Sequence, residues 1–499
     1  MEPGQAQRQM SRADWLLLAL GLALCAVVMW PFYGLTADDA FISFRYAMNW
    51  AAGCGPVYNC GQDHVEGYTN FLWMALSALG LKLGIDPVRA MRVLGALCHL
   101  ATVVVLMLLC RRVSRSRLAQ VLPIFCVALS PFFSVNAVTG LETSAATLSV
   151  ALAALLSLEL PEGRRPWSAG IAWGVSTLVR PEGLGLAALT GLWALGAALA
   201  RRRLRQAWRG LLCFCLAFAA VAGPYLFWRL RFYGELLPNT YYAKRLPLYY
   251  IVPMNLELLA THALFFAPVL VAALAVLAQL RRGKSLYLLL LALALAAVGV
   301  SVQNNHWMPG HRLFLTSVAL LLVVASGLAD VGRASRRRGV RLAGPAVLVV
   351  TLVLQLAAAA IYYPETRALA RTHYAEDEHP AKEMGLNVRK LARPGDWLAI
   401  RDAGMVPYYA GTKVNVLDMH NRSLNDRRIT RHGWSAAYVM DYKPRFMVFA
   451  SHHSQLMVYQ HEVEYYLGLS EEFREAEYSL RMVARWHPTR HFFLFTRRP

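Results

Sequence analysis

Asp38 and Asp39 stand side by side where an apolar run ends, in the stretch LTADDAFISFRYAMNWAAG from Leu35 to Gly53. Ionisable residues at a membrane boundary are functional candidates, because a charge kept there is costly. The bland reading is helix capping: Thr36-Ala37-Asp38-Asp39 fits the S/T-x-x-D/E start signal, and acidic residues in a first turn suit the helix dipole. Helical spacing puts Asp38, Ile42, Arg45 and Asn49 on one face and makes Phe41, Phe44 and Met48 an apolar stripe. That pattern predicts an amphipathic helix lying along the membrane interface, with two carboxylates at its start. Either carboxylate has the chemistry of a general base toward a hydroxyl. A divalent cation, if one takes part, would sit on Asp38 or Asp39.

More polar groups recur between apolar runs. Gly55, Gly61 and Gly67 mark turns, and Glu66, Tyr68 and Asn70 precede a short apolar stretch. Glu142 lies in VTGLETS, and Arg180 and Glu182 flank Pro181 in LVRPEGLG. Asn239, Tyr242 and Lys244 come from LLPNTYYAK; His306, His311 and Arg312 come from QNNHWMPGHRLF. Taken singly, the carboxylates read as surface or helix-start charges, Arg180 and Glu182 as a local pair, and the aromatics as a membrane belt. Together the cations Arg45, Arg180, Lys244 and Arg312, with the histidines, suit an anionic head group such as phosphate. Glu66, Glu142 and Glu182 suit sugar hydroxyls or the steadying of those arginines. Carboxylates beside phosphate-binding cations fit glycosyl transfer from a lipid-phosphate sugar: a base on the acceptor hydroxyl, and cations against the departing phosphate.

The elements that must hold these groups are membrane helices. The chain has 499 residues, 57% of them hydrophobic, and only 16% are charged, against roughly 25% in a soluble domain. The net charge of +21 does not point to nucleic acid. Its basic residues form short clusters between apolar runs, such as Arg111, Arg112, Arg115 and Arg117, or Arg201–Arg203 with Arg205, which is the positive-inside pattern. Arg8 and Arg12 precede an apolar run, Trp15–Tyr33, that is long for a signal peptide and has no small-residue cleavage site. It predicts an uncleaved first span with a cytoplasmic N-terminus. Further spans are expected near 90–110, 118–134, 143–159, 167–180, 183–200, 208–230, 259–280, 285–302, 312–329 and 342–362, about eleven in all. With the arginine clusters inside, the loops around Asp38, Glu142, Glu182, Asn239 and His306 fall outside. Tyr68–Gly84 is apolar but short, and is expected to be a short or re-entrant segment. Cys54 and Cys60 lie in the first outer loop, residues 34–69, where a disulfide can form. The other six cysteines lie in apolar runs as small hydrophobes. Residues 1–363 thus read as a membrane module. Residues 364–499 read as a small α/β extracytoplasmic domain, with strands at DWLAI, KVNVLD, FMVFA and HFFLFTR and a helix at AKEMGLNVRKLA.

The first-loop stretch DDAFISFRYAMNWAAGCGPVYNCGQDHVEGYTNFLW resembles that of GT-C fold, polyprenyl-phosphate-sugar-dependent glycosyltransferases, with the mycobacterial terminal arabinofuranosyltransferases nearest. The likeness extends through GLET, RPEG and PNTYYAK, and more loosely into IRDAGMVPYYAGTKVNVLD. It implies a multi-span GT-C-like module with a periplasmic active site in a bacterial inner membrane. It also implies a catalytic Asp at Asp38 or Asp39, and motif residues at Arg45, Glu66, Tyr68, Glu142, Arg180, Glu182, Asn239 and Lys244. The expected partners are a polyprenyl-monophosphate sugar donor, with arabinofuranose the favoured sugar, a glycan or glycoprotein acceptor, and the lipid bilayer. Two other classes fit parts of the sequence. A flippase of lipid-linked glycans also needs charge near the membrane, but no inverted repeat or midplane ionisable pair is evident. A non-catalytic membrane scaffold would use the same charges as anchors and caps.

Overall fold

The structure, a computed structural model, describes residues 9–497 apart from 115, 203, 245–246, 280–283, 302–307, 309, 332–337, 375–378, 421–422 and 488–489. The chain divides into two compact units, each built from separated segments. One comprises Met1–Tyr33, Arg92–Phe227 and Leu246–Ala370; the other comprises Gly34–Met91, Trp228–Arg245 and Arg371–Pro499.

The first unit is helical. Across the described residues of the whole chain, six helices are long and apolar enough to cross a membrane, or up to eight if two bent pairs each count as one span. The sequence expectation of about eleven exceeds this. Pro166–Val179 has 14 residues and Leu315–Ser326 only 12, short of the ~20 that a straight crossing needs. Others break. Leu118–Leu129 and Pro131–Ala137 meet at 59°, where Ser130 takes an extended conformation ahead of Pro131, as the residue before proline prefers. Leu315–Ser326 is buried along almost its whole length, which is why it is apolar all round. At one end of this unit Asp14 pairs with Arg111 at 3.2 Å and Arg117 at 3.4 Å, Glu159 pairs with Arg112 at 2.9 Å, and Glu162 approaches Arg201 at 3.5 Å. Arg111, Arg112, Arg117 and Arg201 therefore find acidic partners at the same helix ends. Glu142 and Arg180 lie at the other ends of the helices Thr143–Ser157 and Pro166–Val179.

The second unit contains a mixed five-stranded sheet in the order β2-β1-β3-β5-β4. Its strands are β1 Trp397–Ile400, β2 Asn415–Asp418, β3 Phe446–Ser451, β4 Tyr478–His487 and β5 Arg490–Arg497. β1 runs parallel to both β2 and β3, while β5 is antiparallel to β3 and β4. The four strands and the helix expected from sequence all form, the helix as Pro380–Leu391. β4 was not expected. Its register shifts between Leu480 and Met482 and again between Arg485 and His487, and such bulges erase the period-two pattern by which a strand is read. Ala399, Leu417, Met447, Phe449, Val463 and Leu467 lie in the hydrophobic core of this sheet.

The first-loop helix, Asp38–Ala51, belongs to this second unit and packs against Phe71–Lys82 and against the short helix Met405–Ala410. Its apolar stripe and its polar face are both covered: Phe41, Phe44, Arg45 and Asn49 are buried. This corrects the expectation of a helix lying on the bilayer surface, since such a helix keeps one polar face in water and one apolar face in lipid. Phe71–Lys82 is the short apolar segment anticipated at Tyr68–Gly84; its 12 residues reach about 18 Å, less than a bilayer core.

Candidate active site

Asp38 opens its helix without capping it. Ala37 is the N-cap and makes no side-chain capping bond. The Asp38 Oδ1 instead accepts the backbone N–H of Met405, at 2.8 Å. Gly404 packs so closely that a Cβ there would collide with the Asp38 backbone oxygen and carboxylate. The side chain is only partly exposed. Burial, and then the negative charge of Asp402, push its carboxyl up to about 7, against the opposing pull of the Met405 N–H. A carboxyl held there can take up or release a proton near neutral pH. Asp39, the next residue, is also partly exposed.

The same unit shows where the other first-loop residues go. Arg45 is fully buried and uses all five N–H groups: Nε donates to the Tyr58 carbonyl at 2.9 Å, one terminal nitrogen to Pro407 and Gly411, the other to Asn59 and Val414. No donor is left for a phosphate, which corrects its reading as an anion ligand. Arg45 ties its helix to the loops of the sheet domain. Cys54 and Cys60 are disulfide-bonded, as expected, and the loop they close docks on the sheet. Asn59 both donates to and accepts from the backbone of Val416, at 2.8 Å each way, satisfying the edge of β2, and the Tyr58 hydroxyl donates to Ala403 at 2.6 Å. Glu66 is buried in an ion pair with Arg229 at 2.6 Å. Tyr68 meets the Tyr233 hydroxyl at 2.9 Å, and Asn70 accepts from Ser43 at 3.0 Å. The Asn239 side chain donates to Ser423, Leu424 and Thr430. Glu66, Tyr68, Asn70 and Asn239 therefore hold the unit together. Tyr242 is partly exposed and Lys244 exposed.

In the first unit, Arg180 is gripped from two sides. One terminal nitrogen donates to Glu142 at 2.6 Å, while its Nε and other terminal nitrogen fork onto both oxygens of Glu182 at 3.2 and 2.7 Å. Gly183 allows this turn, because a Cβ there would sit 2.6 Å from the Thr177 nitrogen. Arg180 and Glu182 line an open cleft of ≈ 580 Å³, including the solvent at its mouth, together with Arg312, Thr143, Ser176 and Thr316. Two arginines and three hydroxyls facing one cleft can receive a phosphate. His311 is buried, with its ring 4.2 Å from that of His262, so it does not line the cleft with Arg312. His306 lies outside the described residues.

Sequence reasoning missed Arg229, Asn59 and the Gly404–Met405 seat. Arg229 carried a signal, being a charge within the apolar helix Leu204–Tyr233. The seat carried none, because it acts through its backbone. Among the described residues, no group of three or more His, Cys, Asp or Glu side chains could hold a metal ion.

A domain of unknown function, DUF8728, matches residues 365–497, close to the sheet domain's expected limits. The terminal beta-(1->2)-arabinofuranosyltransferase of Mycobacterium tuberculosis is 33% identical over 226 residues, which cover 42% of this chain and 34% of that protein. The enzyme of the same name from Corynebacterium glutamicum is 26% identical over 276 residues, covering 48% and 38%. Among solved structures, ArnT from Cupriavidus metallidurans bound to undecaprenyl phosphate superimposes with a TM-score of 0.59 at 15% identity, covering 97% of this chain and 98% of that one. The chain has a GT-C fold. The resemblance seen in the first loop and the similarity found across the whole chain thus agree. The matched region amounts to little more than a third of the length of these curated relatives.

Proposed function

We propose that this protein is a membrane glycosyltransferase that moves a sugar, arabinofuranose in the leading reading, from a polyprenyl-monophosphate donor to an extracytoplasmic glycan or glycoprotein. The observation that carries this reading is Asp38: a partly exposed carboxylate, seated by Met405, with its proton affinity raised to about 7. Such a group accepts the proton of an acceptor hydroxyl as that oxygen bonds to the anomeric carbon. The bond from carbon to phosphate oxygen breaks, and its electron pair leaves with the polyprenyl phosphate. Within the helical unit by itself, Arg180, steadied by Glu142 and Glu182, and Arg312 line a cleft whose cations suit an anionic group such as a lipid phosphate. The likeness to terminal arabinofuranosyltransferases favours the sugar. The arginine-rich helix ends favour a bacterial plasma-membrane orientation with Glu142 and Arg180 outside.

The test is direct. Purified protein in liposomes is given polyprenyl-phosphate arabinofuranose and a panel of glycan acceptors, and products are read by mass spectrometry. Transfer that is lost in Asp38→Asn, with folding retained, supports the enzyme. Donor translocation without product, across the panel, would replace this reading with that of a lipid-glycan flippase. Unchanged transfer in Asp38→Asn removes Asp38 as the base.

A further inference from the structure

The loop that follows β1, Arg401–Met405, has three separate relations to Asp38. Met405 gives its N–H to the carboxylate. Gly404 lies against that carboxylate at a distance no other residue type permits. Asp402, two residues before Gly404, adds a negative charge to the environment of Asp38. The position of this loop in the sheet is informative. β1 pairs with β2 on one side and β3 on the other, so the chain leaves β1 at the point where strand order reverses. In parallel sheets that is where loops diverge and ligand sites form, at the carboxyl ends of the strands. Here the crevice receives the start of the helix Asp38–Ala51.

Asp402 is itself held. Arg490, the first residue of β5, bonds to its Oδ2, and Arg401 donates to its Oδ1 at 3.1 Å. Arg401 is in turn 3.0 Å from His461 Nε2. Burial works to raise the proton affinity of Asp402, but Arg490, then Arg401, outweigh it and keep the group below the ordinary carboxylate value. Asp402 therefore stays ionised at the pH where Asp38 titrates.

We propose that the loop Arg401–Met405 is part of the catalytic centre, with Gly404 and Met405 seating the Asp38 carboxylate and Asp402, anchored by Arg401 and Arg490, acting as its positioning residue. This rests on the reading of Asp38 as the base and gives the sheet domain a role in the chemistry itself. The groups that set the charge around Asp38 are Asp39 on its own helix, Asp402 on the loop and Arg490 on β5. Two of the three come from the sheet domain. An ionised Asp402 disfavours a second negative charge at Asp38, so it makes Asp38 a stronger base once ionised and moves its titration toward neutrality.

Two measurements on the full-length protein test this. The first is the pH profile of kcat/KM for transfer in wild type, Asp402→Asn and Asp402→Glu. Removing the charge is expected to move the acidic limb down by about one pH unit, and Asp402→Glu to return it toward wild type. The second reads no turnover. Carbodiimides modify protonated carboxyls, so labelling of Asp38, mapped by mass spectrometry across pH, should have a midpoint near the wild-type value of about 7. The midpoint should fall in Asp402→Asn and return in Asp402→Glu. A merely structural Asp402 would change yield or stability and leave both midpoints in place; unmoved midpoints overturn the proposal. If the wild type transfers nothing, the reading as an enzyme fails, and the labelling series still decides whether the loop governs Asp38.

Discussion

Replacing Asp38 by Asn should abolish transfer and, above neutral pH, make the protein more stable. Asn keeps the shape and an oxygen that can accept the Met405 N–H, but it carries no charge. The folded carboxyl titrates near 7 against an ordinary 3.8, so the folded state holds the proton more tightly than the unfolded chain does. Well below pH 3.8 both states are protonated and the aspartate costs nothing. As pH rises from 3.8 toward 7 the unfolded chain ionises first, and wild-type stability falls; above 7 the loss is constant. At ~1.4 kcal/mol per unit the penalty reaches ~4 kcal/mol at pH 8 and is under ~1 kcal/mol at pH 4. The Asn variant does not titrate, so its advantage over wild type should widen with pH by about those amounts. Thermal unfolding of both proteins in detergent from pH 4 to 8 measures this, beside transfer assays in which Asn is expected to lose ~10²–10⁴-fold of the rate. A pH-independent difference, or a variant less stable than wild type at pH 8, would refute the claim that Asp38 is held where ionisation is costly.

Arg45→Lys should cost ~2–4 kcal/mol of stability in denaturant or thermal unfolding, because an ammonium offers three donors where five acceptors are arranged around a planar fork. Arg229→Ala should cost ~3–5 kcal/mol by leaving Glu66 buried and unpaired, and Glu66→Gln added to it should restore more than half, as a double-mutant cycle would show. Joint Cys54→Ser and Cys60→Ser substitution should cost ~2 kcal/mol, read as a lower unfolding midpoint that reductant no longer changes. Arg180→Lys, which cannot fork onto Glu182 while reaching Glu142, should raise KM for the polyprenyl-phosphate donor about tenfold, ~1.4 kcal/mol of binding; an unchanged KM would take Arg180 out of the donor site.

Residues whose signal is local were the readable ones. Asp38 and Asp39 stood out together as charges beside an apolar run, and Arg180 and Glu182 declared themselves as neighbours around a proline. The Cys54–Cys60 pair and four of the five strands follow from short-range chemistry in the same way. Arg45 misled because composition cannot distinguish an arginine facing solvent from one whose donors meet carbonyls of residues 407, 411 and 414. Glu66 gave no hint of Arg229, 163 residues away. A span count cannot be read from apolarity alone, because apolarity marks burial in protein and burial in lipid alike, and Leu315–Ser326 is buried in protein.

The sequence alone therefore determined that this is a helical membrane protein with an α/β domain at its C-terminus, and it pointed to Asp38 or Asp39, with the charged residues between the apolar runs, as where chemistry should be sought. Hydrophobic periodicity, charge clustering and turn residues act over a few positions, so they are written in the order of the chain. Tertiary structure decided which charges are tools and which are ties. It buried Arg45 and Glu66 among partners far away in sequence, and it brought the backbone of Gly404 and Met405 to the Asp38 carboxylate. A backbone N–H has no letter of its own and a carboxylate's proton affinity belongs to its surroundings, so both exist only once the chain has folded.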